Sequence, residues 1–258
     1  MNMTDTVFPR RGGSCQQRGF SLVEMMISMT IGLIVIAAAG QLFMSGKRSM
    51  NLQKTQAAFQ EQSSLLGTMI AGLIRQSGHI DISDGGIDRK LVFPVSAPFA
   101  AAGQVVVGVE RDNDRDVLTT NGGTTQRFPD DEIVIRFEGG DDIFDCEGNT
   151  TVAGTFYAHR FKISNEQLVC IPEAGTAAIE LVGTKGGLPS QRIRVLGLRV
   201  LYGIDQTGDG SVNDYNRAGS MLASDWLKVI NSWLEVSVQA GDLPPKTIRL
   251  LLHYSNLN

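Results

Sequence analysis

Apolar residues are concentrated in one early block of this chain and thereafter follow two different rhythms. Between Arg18 and Phe43 the sequence reads RGFSLVEMMISMTIGLIVIAAAGQLF, and past the arginine its one ionisable side chain is Glu24. About 20 apolar residues suffice to span a bilayer as a helix, so the block predicts a membrane-length helix rather than a core element. No proline occurs between Pro9 and Pro94, which lets one helix run from about Phe20 to about Gln76. Beyond the apolar block the rhythm turns one-sided: Phe59, Leu66, Ile70 and Leu73 recur against Gln53, Gln56, Gln60 and Gln62. That is the stripe of a helix packed on a globular domain. Gly32, Gly40 and Gly46 are expected to loosen the helix locally, at about 1 kcal/mol each relative to Ala.

The second rhythm is that of strands. After the turn-rich IRQSGHIDISDGG stretch, extended segments are expected at Gln104 to Glu110, Asp116 to Thr120, Glu132 to Glu138 and Thr155 to Ser164. Further strands are expected at Gln167 to Ile171, Ala178 to Val182 and Ile193 to Ile204. A short helix around Ser220 to Ile230 precedes a closing pair, Trp233 to Gln239 and Thr247 to Tyr254. There Leu234, Val236 and Val238 alternate with Glu235, Ser237 and Gln239, the period of a half-buried antiparallel sheet. The expected fold class is therefore α+β, a long N-terminal helix packed on an antiparallel β-sheet head.

Composition adds bounds. At 258 residues, 42% hydrophobic and 19% charged, the chain holds one membrane anchor and one globular domain with a real core. Its formal charge of −4 becomes −6 without residues 1–19, which carry Arg10, Arg11 and Arg18 against Asp5. Such a balance argues against nucleic-acid binding, where affinity comes from neutralising phosphates with Lys and Arg. Of the 3 cysteines, Cys15 precedes the apolar block, while Cys146 and Cys170 lie far beyond it. The latter two suggest a disulfide in an oxidising compartment, with two unpaired buried thiols as the alternative. A bridge there closes a loop of about 25 residues, worth about 3 to 4 kcal/mol on chain entropy. The 3 histidines, His79, His159 and His253, fall in no motif.

Three readings compete for the N-terminal block. A secretory signal has its basic region in Arg10, Arg11 and Arg18 and a small-residue cleavage site in Ala37-Ala38-Ala39, but the apolar run from Phe20 to Ile36, 17 residues, is too long for it and contains Glu24. A plain transmembrane anchor with a basic cytoplasmic leader explains the length but not the acid. The third reading explains both: RGFSLVEMMISMTIG resembles the class III signal of type IV prepilins. That resemblance implies cleavage by prepilin peptidase between Gly19 and Phe20, methylation of Phe20 as the new N-terminus, and a role for Glu24 in filament register, through pairing with the N-terminal amine of a neighbouring subunit. At the position where major pilins carry a helix-breaking proline this chain has Gln41.

The IRQSGHI stretch, the pair Cys146 and Cys170, the run LYGIDQTGDGSVNDY and the Trp233 to Tyr254 ending resemble the PilW group of minor pilins. The implied organisation is a cleaved leader over 1–19, a membrane and filament-core half-helix over 20–45, an amphipathic half over 46–77 and a periplasmic head over 78–258. The implied function is a minor pilin that helps initiate type IV pilus assembly, located at the pilus tip. Its implied partners are prepilin peptidase, other minor pilins, the major pilin, the inner-membrane assembly platform and membrane lipid. The alternatives are a J-type pseudopilin of type II secretion and a calcium-regulated tip adhesin. The implied location is the inner membrane, single-pass with a cytoplasmic N-terminus, and then the pilus.

One further stretch carries candidate chemistry. In DQTGDGSVNDYN the oxygen-bearing residues Asp205, Thr207, Asp209 and Asn213 and the glycine Gly210 follow the EF-hand register, with Ser211 and Asp214 beside them. Position 12 is Asn216 instead of glutamate, which leaves two readings open: a calcium loop or a solvated turn. Calcium is the one cofactor the sequence puts forward, and none is required. The acidic run Asp112-Asn113-Asp114-Arg115-Asp116 reads as a solvated approach to a strand, and Asp130, Asp131, Asp141, Asp142 and Asp145 as turn residues. No nucleophile elbow, phosphate loop or zinc spacing occurs, and no enzymatic function is expected.

Overall fold

A computed structural model describes residues 19–80, 89–111, 115–118, 125–172, 177–183, 192–241 and 243–254. Arg10, Arg11, Cys15 and Arg18 of the leader and residues 112–114 of the acidic run lie outside them. The chain divides into two units, Met1–Leu52 and Gln53–Asn258. Helix α1 (Leu22–Arg75) starts in the first and ends in the second, and Gly32, Gly40 and Gly46 all lie within it. The helix runs through all three without a break, and nothing lies within 4 Å of where a Cβ would stand at any of them.

In the first unit the helix is apolar on every side. Leu22, Val23, Met25, Met26, Ile27, Met29, Ile31, Leu33, Ile34, Val35, Ile36, Leu42 and Phe43 are all more than half exposed. It is long and apolar enough to cross a membrane. A soluble protein does not leave so much contiguous apolar surface in water, so lipid or other apolar helices are its natural cover.

In the second unit, α1 carries the predicted stripe. Leu66, Ile70 and Ile74 are at most 1% exposed and Leu73 is buried beside them, while Gln53, Gln56 and Gln60 face outward. The stripe joins one hydrophobic cluster with Ile133, Ile135, Phe137, Phe161, Val200, Tyr202, Leu234, Val236 and Leu252. After the helix ends at Arg75, the Ser77 N–H returns to the Ile74 carbonyl at 3.0 Å, and Gly78, with a left-handed φ of 75°, turns the chain toward β4 by donating its N–H to the Arg136 carbonyl at 2.9 Å. Just before it, the Gln76 side chain accepts from the Phe144 N–H at 2.8 Å and donates to the Phe144 carbonyl at 3.0 Å.

The head has eleven strands among the described residues: β1 (Val106–Val109), β2 (Arg115–Leu118), β3 (Thr125–Phe128), β4 (Glu132–Glu138), β5 (Phe156–Ser164), β6 (Gln167–Pro172), β7 (Ile179–Val182), β8 (Ile193–Ile204), β9 (Asp214–Asn216), β10 (Val229–Ala240) and β11 (Lys246–His253). They form a five-stranded sheet in the order β1-β4-β5-β6-β7, a four-stranded sheet β11-β10-β8-β9 and a two-stranded ribbon β2-β3, all antiparallel. The α+β fold class expected from the pattern is the observed one. A short helix, α2 (Arg89–Val92), precedes β1.

Three expectations need correction. The helix expected around Ser220 to Ile230 is instead two 3-10 turns, Ala218–Ser220 and Asp225–Lys228, after which Val229 and Ile230 already belong to β10. Trp226 is the one buried side chain of these two turns, edge-to-face on Tyr202 at 4.8 Å, so the segment is anchored at a single point and presents no helical stripe. The closing pair is not half-exposed at β10: Ser237 and Gln239 are buried, the Ser237 hydroxyl 3.4 Å from that of Thr247 and the Gln239 amide between Arg194 and the Leu243 carbonyl, while Glu235 is held by Arg199 and Arg249. Asp131 is no turn residue. It is 3% exposed, accepts the Val200 N–H at 2.9 Å and an Arg217 N–H at 3.2 Å, and so ties the start of β4 to β8. Burial raises its pKa against the lowering effect of those donors.

Two buried charges show how the head tolerates polarity. Arg136 on β4, 5% exposed, donates to the carbonyls of Pro94 (2.7 Å), Phe93 and Ala101 (3.3 Å each) and to that of Gln104. Its guanidinium also lies 4.3 Å from the centre of the Phe99 ring, so the segment before β1 is wrapped around one cation. Glu132, 3% exposed, is paired with Arg160 at 2.8 Å and with Arg111. Close packing appears at Gly108, where a Cβ would stand 2.3 Å from the Tyr202 hydroxyl.

Candidate functional site

The N-terminal candidate site is built by the start of α1. Gly19, Phe20 and Ser21 precede the first helical residue, Leu22, and Phe20 is 85% exposed. The Gly19–Phe20 peptide bond is thus outside the helical hydrogen-bond ladder, as a peptidase substrate must be. The Ser21 carbonyl accepts the Met25 N–H at 3.1 Å and opens the ladder. Glu24 sits in the first turn, where the free N–H groups and the helix dipole favour a negative charge. Its carbonyl accepts the Ser28 hydroxyl at 2.7 Å, a bond that lets a polar side chain sit in apolar surroundings. Phe20 and Glu24 are four positions apart, with Phe20 outside the helix and Glu24 in its first turn.

In the head, Cys146 and Cys170 are disulfide-bonded with a Cα–Cα distance of 6.1 Å. The bond ties the Asp145–Asn149 turn to β6, an inner strand of the five-stranded sheet. That turn closes on itself, as the Asp145 carboxylate accepts the N–H groups of Glu147 and Asn149 at 2.8 Å each. His159, which no sequence motif singled out, lies against the bridge. Cys146, Cys170 and His159 offer ligand atoms within 4.8 Å of one another. Opposite His159 on β6 is Pro172, so Cys170, two positions away, falls on the same sheet face. The imidazole is 0% exposed, meets Phe137 edge-to-face at 4.9 Å, and has no hydrogen-bond partner at either ring nitrogen. Burial lowers its pKa to about 4, opposed weakly by the Asp145 carboxylate. The missed signal is topological: the proximity exists only once β5 pairs with β6.

The Asp205 loop follows β8. Asp205 accepts the N–H of Gly208 at 2.6 Å and that of Gly210 at 2.8 Å, one on each carboxylate oxygen. Asn213 Oδ1 accepts the Gln206 N–H at 2.7 Å, and Asp209 accepts the Ser211 N–H at 2.9 Å. The Thr207 hydroxyl lies 3.3 Å from Asp205 Oδ1 and 3.5 Å from Asn213 Oδ1, so three oxygens of the predicted set converge. Gly208 and Gly210, with φ of 77° and 82°, supply the left-handed bends. The donated N–H groups, that of Gly210 foremost, hold the Asp205 carboxyl below its usual range, and the Ser211 N–H does so for Asp209. Asp214 opens β9, where its carboxylate accepts the Tyr215 N–H at 2.8 Å, and Asn216 pairs with Tyr202.

Comparison with known proteins adds two findings. Residues 15–40 match the prokaryotic N-terminal methylation motif. A type IV-like pilin from Thermus thermophilus is similar over 77% of this chain and 96% of its own, at 12% identity and a TM-score of 0.42. No curated protein matches the chain. The motif thus stands at the start of a helix whose second half packs on antiparallel sheets.

Proposed function

We propose that this chain is a minor pilin of the PilW kind, cut after Gly19 by prepilin peptidase, methylated at Phe20 and acting at the tip of a type IV pilus to start its assembly. The observation that carries the reading is the methylation motif over residues 15–40 on a helix whose apolar side chains are uncovered all round. Cleavage leaves a cationic amine on Phe20 beside an acid in the first helical turn. In a neighbour's apolar surroundings each charge is costly alone and tolerable when paired. Glu24 and the amine of an adjoining subunit thereby fix axial register, while the apolar half-helix exchanges lipid contact for contact with other helices. The head, through its exposed surface, selects other minor pilins. Immunogold labelling of sheared filaments tests the placement: label confined to one filament end is the expected result, and label spread along the shaft contradicts it.

The Asp205 loop is proposed as a calcium site of this head. What supports it is the convergence of Asp205, Thr207 and Asn213 oxygens around a turn closed by Gly210. Millimolar calcium is expected to raise the melting temperature of the detergent-purified chain by a few degrees, and an Asp205→Ala/Asp209→Ala double variant to lose that shift. An unchanged melting temperature, or a shift that survives the double substitution, removes the loop as a calcium site.

A further inference from the structure

The cluster around the disulfide contains one side chain more than a disulfide needs. A bridge between Cys146 and Cys170 closes its loop without any third group, and an apolar ring would pack beside Phe137 as well as an imidazole does. His159 nonetheless brings two ring nitrogens into a site with 0% exposure, where neither has a partner. Each such nitrogen forfeits hydration without recompense. Both sulfurs and an imidazole nitrogen lie within 4.8 Å of one another, on the Asp145–Asn149 turn and on neighbouring strands β5 and β6. A tetrahedral zinc ion bound at about 2.3 Å to sulfur and about 2.0 Å to nitrogen sets its ligand atoms about 3.5 to 3.8 Å apart, a spread this cluster encloses.

We propose that in its dithiol form the head binds a zinc ion through the thiolates of Cys146 and Cys170 and one imidazole nitrogen of His159, so that metal and disulfide are alternative closures of the same loop. Zinc binding displaces the two thiol protons and gives an imidazole nitrogen the partner it lacks. The fourth position falls to water, because the nearby Asp145 carboxylate is engaged by the N–H groups of Glu147 and Asn149 and by the Asn149 side-chain amide. With the disulfide closed, both sulfurs are consumed and the site takes no metal. The ligands come from three separate segments, so zinc would fasten the Cys146 turn to β6 in chains whose cysteines are not yet oxidised.

The test uses the full chain in detergent, without an affinity tag and with Cys15→Ser so that only the pair supplies thiols. Protein reduced by a phosphine is incubated with zinc, desalted and assayed for bound metal, and a parallel sample receives cobalt(II). The expected result is about one zinc per chain in the reduced protein, none in the oxidised protein, and a thiolate-to-cobalt charge-transfer band. His159→Phe should still close its disulfide on oxidation, which shows a folded head, yet bind zinc at least about tenfold more weakly when reduced. Should the reduced chain lose its head structure, zinc is expected to restore the far-ultraviolet dichroism. Zinc uptake that is absent, equal in the oxidised chain, equal in His159→Phe, or unable to restore a lost fold overturns the proposal.

Discussion

A chain carrying Glu24→Ala is expected to be cut after Gly19 and inserted in the membrane as usual, yet to fall by about tenfold or more in sheared filaments. Nothing at the cleavage bond depends on the carboxylate, since Gly19 and Phe20 stand outside the helix that Glu24 enters. The apolar surface from Leu22 to Phe43 is also untouched, so membrane storage of the subunit is preserved. On the proposed pairing, what changes is the filament core, where the Phe20 amine of one subunit loses its counter-charge. Removing one partner of a buried pair costs about 3 to 5 kcal/mol, and about 1.4 kcal/mol already amounts to tenfold in an equilibrium. Glu24→Asp, which keeps the charge on a shorter arm, is expected to restore part of the incorporation. Unimpaired incorporation of the alanine variant, read by immunoblot of sheared filaments, refutes the pairing.

The second large effect is a loss of head stability in acid that depends on one imidazole. With its pKa near 4 in the folded head against about 6.5 unfolded, His159 stays neutral where the unfolded chain takes up a proton. Its contribution is therefore fully present above pH 6.5 and is lost as pH falls from there to about 4, below which the loss is complete and flat. The shift corresponds to about 3 kcal/mol of unfolding free energy. His159→Phe keeps a ring beside Phe137 and cannot titrate. Between pH 7 and pH 4 its unfolding free energy, from denaturant titrations of the disulfide-closed protein, is expected to fall by about 3 kcal/mol less than that of the wild type. Parallel pH profiles for the two proteins would refute the assignment.

Local signals in the sequence were the ones that carried over into structure. The stripe Leu66, Ile70 and Leu73 announces which face of α1 the head covers, and the β-branched runs announce β4 and β8 at their observed bounds. Continuous apolar pattern together with missing proline outweighs isolated glycines, so Gly40 does not interrupt α1. Less legible were features made by tertiary contact. The ribbon strand β3 and the three-residue β9 are too short for a period to emerge. Asp131 and Arg136 look like surface residues until their donors and acceptors arrive from segments distant in the chain. His159 gains meaning only from β5–β6 pairing and the return of Cys146 to that face. At the N-terminus the reverse holds, because the methylation motif matched by residues 15–40 is a linear pattern that needs no tertiary contact to be read.

The central claim is that residues 1–19 are removed by a prepilin peptidase and that the chain then begins at an N-methylated Phe20. Intact-mass and N-terminal peptide mass spectrometry of the mature protein tests it most directly. The account predicts a first residue of Phe20 bearing one methyl group, in the membrane and filament fractions alike. A mature chain that begins at Gly40, after the Ala37-Ala38-Ala39 run, would contradict it and make the apolar block a secretory signal instead.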